Sequence, residues 1–253
     1  MPITYSYGNA AGSTVDFIGV SETPTLASAA DQKAHFEAIS KTEGPFGAPS
    51  VGGDSLLFNP ATFSLTVVGV GADILDSQLS FTIAAKAGYG IDAFGIQEAG
   101  DYTFPVGGGA GTWASVGAAV SVVVTEIDGK AVTPIFVPTE NAVILPSSSF
   151  FGTGSPVPAS PWSGTGYVDI AAYLASLSIM GTATQVDVTL DNTLYAGSSE
   201  AGKIAKIQKK LFDGTSITVV TNNNPIPEPS SLVLAALGAV GVGWCGRRQF
   251  RKS

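Results

Sequence analysis

Short stretches in which apolar and polar residues alternate, separated by Gly, Pro, Asn and Asp, run from the N-terminus to Thr221. Gln78–Ala85 shows the alternation cleanly, with Leu79, Phe81 and Ile83 on one side and Ser80 and Thr82 on the other. A period of two predicts a strand with one packed and one wet face. Val15–Val20, Leu56–Phe58, Phe63–Val68, Ile91–Phe104, Val120–Ile127, Ala131–Val137, Asn141–Leu145 and Thr184–Leu190 read the same way. Asn59-Pro60 is a turn signal between two of these segments, and Phe46–Gly53 reads as a turn-rich edge.

Asp128-Gly129 is a two-residue hairpin turn, and Pro134 puts its return strand at an edge. Lys203–Phe212, Asp213-Gly214 and Thr215–Thr221 predict a second Asp-Gly hairpin. A helix over 203–212 competes through Ile204, Ile207 and Leu211, but the turn and the β-branched return favour the hairpin. Residues 27–41 are compatible with a helix, and Asp169 caps a short one through Leu177. Pro146–Gly166, rich in Ser, Pro and Gly, reads as an exposed loop. About ten to twelve short strands at this spacing predict an all-β, two-sheet antiparallel sandwich, jelly-roll or Greek-key like, over residues 1–221, with 1–14 and 27–55 partly irregular.

The pattern changes abruptly after a linker at 222–231. Pro227-Glu228-Pro229 cannot join a helix comfortably, since each proline fixes φ and lacks a donor. Ser230 and Ser231 then stand where helix N-caps belong. The run from Leu232 to Cys245 carries no charge; Leu232, Val233, Leu234, Leu237, Val240, Val242 and Trp244 supply its apolar surface. As a helix over 232–246 this segment spans about 22 Å of a roughly 30 Å hydrocarbon layer. Snorkelling of the following arginines and local bilayer thinning cover the remainder. Glycines 238, 241, 243 and 246 suit a membrane helix better than a water-soluble one. All three arginines of the chain, Arg247, Arg248 and Arg251, fall with Lys252 in the basic tail 247–253. Basic residues directly after an apolar segment mark the cytoplasmic side of a membrane insertion.

The Pro-Glu-Pro element, the apolar run and the arginine cluster, in that order, resemble the PEP-CTERM sorting signal. The resemblance covers the stretch from Pro227 to Ser253. It implies export in a Gram-negative bacterium and transient anchoring in the inner membrane. It also implies recognition of the Pro-Glu-Pro region by an exosortase, an integral-membrane protease, commonly in bacteria that make extracellular polysaccharide. The body stretches Asp187–Ala196 and Ser198–Gly202 also look like recurrent segments of such proteins. The resemblance brings no catalytic residue with it. Members carry an N-terminal secretory signal, whereas Met1-Pro2-Ile3-Thr4-Tyr5 leads into polar sequence with no basic residue before Lys33. The expectation is a true start codon upstream.

Composition narrows the body's chemistry. Between Met1 and Asn224, Asp and Glu outnumber the lysines by more than two to one, and arginine does not occur. That balance argues against nucleic acid and anionic membrane surfaces as partners. Cys245 is the only cysteine and lies in the tail, so the body forms no disulfide. The single histidine, His35, reads as a loop or helix residue rather than part of a triad. With no His/Cys cluster, no zinc or iron site is expected. Calcium needs only oxygen ligands, and Asp187, Asp191 and Asn192 are candidates, with Asp73 and Asp76 behind them. Glu98, Asp101, Glu126, Asp169, Asp187 and Asp191 are read near strand ends, from which a paired-carboxylate glycosidase would draw. Trp113 and Trp162 flank glycine-rich loops, either stacking on sugars or filling the core.

From this we expect a non-enzymatic exported protein of the cell surface or extracellular matrix, its body structural or adhesive, with no cofactor beyond calcium. Its expected partners are an exosortase-type protease, the bilayer through the tail, and extracellular polysaccharide. The alternatives are a carbohydrate-binding module and a glycan-active sandwich enzyme.

Overall fold

The computed structural model describes residues 3–25, 43–106, 111–138, 148–209 and 215–223. Its elements are β1 Tyr5–Ala11, β2 Val15–Thr25, β3 Ser50–Gly52, β4 Ser55–Phe58, β5 Ser64–Val68, β6 Gly71–Ala85, β7 Gly90–Phe104, β8 Thr112–Ile127, β9 Lys130–Val137, β10 Ser148–Phe151, β11 Val157–Asp169, α1 Ile170–Ser176, β12 Ala183–Ser198, β13 Ile204–Lys209 and β14 Thr215–Asn222. The expected helix over 27–41, the strand over 141–145, His35 and the whole tail lie outside the described residues.

The strands pair antiparallel and double back into two layers. The first runs β1-β2-β6-β12-β8, with β10 and β9 sharing the far side of β8. In the second, β7 lies between β11 and the β13–β14 line, which β5 and β4 flank in turn, and β3 pairs with β4. One bridge, Ala183 to Ile91, joins β12 to β7, so hydrogen bonding is continuous through a 14-stranded sheet. The expected all-β sandwich is thus present, with longer strands: β8 and β12 have 16 residues each. Leu79, Phe81 and Ile83 are buried as the alternation requires, facing Val186, Val188 and Leu190 in the same core.

The Asp128-Gly129 turn forms as expected. Ile127 faces Lys130, and both turn residues have positive φ, 49° and 72°, which the twist of a two-residue hairpin demands. Helix α1 also forms, with Asp169 Oδ1 accepting from Ala172 N at 2.8 Å.

The second Asp-Gly hairpin is contradicted. β13 and β14 do not pair with each other. Lys209 lies opposite Gly100 and Thr215 opposite Glu98, both segments running antiparallel to β7. The chain therefore resumes the same strand line after residues 210–214, and the local Asp-Gly signal is overridden by pairing to a long central strand. β4 and β5 do the same beside it: Phe58 faces Thr215 and Ser64 faces Gln208. Asn59-Pro60 thus opens an interruption, not a reversal, from which Phe63 drops fully into the core.

The exposed loop expected over 146–166 is also corrected. Its described part forms β10 and most of β11. β11 pairs only with β7 among the described strands, so Pro158 and Pro161 are tolerated on an edge.

Candidate functional site

Of the nine buried polar or charged side chains among the described residues, six meet between the layers. Period-two alternation sets each inward. Glu22 follows Val20 on β2, Ser77 lies between Leu75 and Leu79 on β6, and Asn192 between Leu190 and Leu194 on β12. From the second layer, Glu98 follows Phe94 and Ile96 on β7, Lys209 follows Ala205 and Ile207 on β13, and Thr215 opens β14. All six are buried.

Lys209 Nζ donates to Glu98 Oε1 at 2.5 Å, to Asn192 Oδ1 at 2.8 Å and to Thr215 Oγ1 at 3.4 Å. The rings of Phe46 and Phe63 flank the ammonium with centroids at 4.9 and 5.1 Å, and they meet each other edge-on. Burial pulls the Lys209 amine below the usual lysine range, against the opposing charges of Glu98 and Glu22. The Asn192 Nδ2 group is buried without a partner among the described residues.

Glu22 anchors the neighbouring half. Its carboxylate accepts from Tyr7 OH at 2.7 Å, Ser77 Oγ at 2.6 Å and the Phe46 backbone N at 3.0 Å. Burial outweighs these bonds and pushes the Glu22 carboxyl up. Tyr7 is pushed up as well, first by burial and then by the charge of Glu22.

Two surface features lie on the outer faces. On the second layer, Gly95 leaves a gap in β7 between Tyr167 on β11 and Thr218 on β14. With Gln97, Thr165 and Ser216 they line an open groove of about 420 Å³. Tyr167 is 46% exposed there. On the first layer, Trp113 lies half-buried over Gly197 with its ring 6.2 Å from that of Tyr195.

The residues singled out from sequence scatter. Trp162 is only 8% exposed and covers Gly100, so it is a core residue. Asp187 and Asp191 lie mid-strand on the outer face of β12, while Asn192 faces the core; the three are not brought together. Asp187 accepts from Thr82 at 2.6 Å and Asp73 from the Ile74 backbone. Asp76 accepts from Thr193 Oγ1 at 2.6 Å. Burial, and then the adjacent charge of Asp76, push the Asp191 carboxyl up. Among the described residues no group of three His, Cys, Asp or Glu side chains is placed to hold a metal ion. Asp101 pairs with Gln208, Glu126 accepts from Thr184, and Asp169 caps α1. Glu98 is not near a strand end but mid-strand and buried. The sequence reading missed Glu22, Lys209 and Tyr7 altogether. The available signal was a charge at a core phase of an alternating strand.

Among the described residues no helix is long and apolar enough to cross a membrane, and the segment 232–246 lies outside them. No curated protein matches the chain in sequence. Solved structures overlap it weakly. One is the enzymatically active domain of bacteriophage CBA120 tailspike protein 4, at 14% identity and TM-score 0.20 over 87% of this chain, which spans 19% of that protein. Another is CBM28, a carbohydrate-binding module specific for non-crystalline cellulose, at 11% identity and TM-score 0.20 over 66% of this chain and 79% of that one. The RrgB pilus backbone of Streptococcus pneumoniae overlaps at 15% identity and TM-score 0.22, over 62% of this chain and 26% of that one. Overlaps this shallow assign neither fold family nor function. The family comparison falls elsewhere, on the tail whose three parts stand in order. The chain carries a PEP-CTERM protein-sorting motif at residues 225–248, with Pro227-Glu228-Pro229 inside it.

Proposed function

We propose that this is an exported protein, held in the inner membrane by its tail in transit and processed near Pro227-Glu228-Pro229 by an exosortase-type protease. What remains is a non-enzymatic β-sandwich with a structural or adhesive role at the cell surface or in the matrix. The observation that carries the reading is the sorting motif at 225–248. The geometry of the body is consistent with it. Among the described residues Lys209 pairs with Glu98, Glu22 is held by Tyr7, Ser77 and the Phe46 backbone, and the other carboxylates are spread over caps and strand faces. Replacing Pro227 and Glu228 with alanine tests the sorting step. The expected result, by fractionation of the native host, is accumulation in the inner membrane and loss from the surface or medium. Unchanged surface delivery would overturn it.

A second reading, carbohydrate binding by the body, is favoured by one observation, the Gly95 groove. A part-exposed tyrosine beside hydroxyl and amide side chains offers a ring face and hydrogen bonds to a sugar. Affinity electrophoresis in gels containing the host's exopolysaccharide tests it: retardation lost in Tyr167→Ala supports binding there, and unretarded wild-type protein refutes it.

A further inference from the structure

We propose that Lys209 and Asn192 join through an intramolecular isopeptide bond, an amide between Lys209 Nζ and Asn192 Cγ, that ties the two layers of the sandwich covalently. The parts such a reaction needs are in place. The amine lies 2.8 Å from the amide oxygen of Asn192 and 2.5 Å from a carboxylate oxygen of Glu98. The rings of Phe46 and Phe63 wall the site. The group that would leave, the Asn192 NH2, has no hydrogen-bond partner among the described residues. Burial favours the neutral, nucleophilic form of the lysine.

An amide is a poor electrophile in water. Holding amine and carbonyl in contact replaces a bimolecular encounter, and excluding water removes the competing hydrolysis. Glu98 first takes a proton from the Lys209 ammonium, leaving amine and carboxylic acid. The Nζ lone pair attacks Cγ, and the carbonyl electrons move to Oδ1. Glu98 then gives its proton to Nδ2 and receives one from the attacking nitrogen. The Cγ–Nδ2 bond breaks, Oδ1 returns to a carbonyl, and ammonia departs. A buried ammonium, a carboxylate and a primary amide become a secondary amide, a carboxylic acid and free ammonia. Atoms and charge balance, and no oxidant is required. The products are neutral, which suits an apolar interior better than the ion pair they replace. The body has no cysteine, so this cross-link would fill the place of a disulfide in an exported domain.

The inference stands on the core of the body and is independent of what happens to the tail. Trypsin digestion and mass spectrometry of the folded full chain test it at the peptide level, where tail processing does not enter. Segment 131–203, which contains Asn192, should be found joined to segment 207–210, which contains Lys209, with one ammonia lost and no cleavage after Lys209. Glu98→Gln should leave the two segments separate. Asn192→Asp should give the same joined product by loss of water. Separate segments from folded wild-type protein would overturn the proposal. So would an ammonia loss confined to 131–203, which would mark a local succinimide. Because the decisive reading is on the wild type, a variant that fails to fold does not blunt it.

Discussion

Glu22 shows how one buried carboxyl links sequence to pH response. Its folded proton affinity is raised, chiefly by burial. Below the ordinary value of 4.5 both folded and unfolded chains hold this proton. Above it the unfolded chain releases the proton first, so this group's contribution to stability falls as pH rises toward the folded value. Thermal melts of wild type and Glu22→Gln between acid and neutral pH should therefore diverge, with the variant gaining relative to wild type as pH increases. Parallel curves would contradict the assignment. Gly100 is the other telling residue. A Cβ there would meet the Gln208 carbonyl at 2.1 Å and the Trp162 ring at 2.3 Å. Gly100→Ala should cost about 1–3 kcal/mol, as overpacking does, read by urea denaturation.

Elements whose pairing is local were legible in the sequence. The Asp128-Gly129 hairpin needs only its own φ angles, and α1 only its cap. Asp169→Ala should accordingly cost about 1 kcal/mol in the same denaturation assay, with the sheet intact. Strands with clean alternation, such as Gln78–Ala85, were legible despite distant partners, but elements without it, and the partner of the segments flanking Asp213-Gly214, were misread. Nothing near Asp213-Gly214 announces that both flanks will pair with β7, far upstream in the chain. Nothing in the Ser- and Pro-rich run before Tyr167 announces that it will lie along the same strand. The buried polar cluster was half visible. Lys209 completes the alternation Ala205, Ile207, Lys209, and Asn192 interrupts Leu190 and Leu194, a phase that points both to the core but that the sequence reading did not use. That Lys209 meets Glu98 follows from the distant pairing of β13 with β7, and that it meets Asn192 from the stacking of the two layers.

At the scale of the molecule, the sandwich and the sorting tail are separate statements in one sequence. The body's fold follows from alternation and long-range pairing, and its destination is written in a short stretch at the other end of the chain. The two meet in a mechanical demand: a domain delivered outside the cell without disulfides must hold together by its core and by what the core's polar residues do. The tail remains the claim on which the functional account rests. Its most direct test is mass spectrometry of the protein isolated from its native cells, with the C-terminus mapped. The account predicts a mature surface form that ends upstream of Leu232; an intact Ser253 on protein in a water-soluble fraction would contradict it.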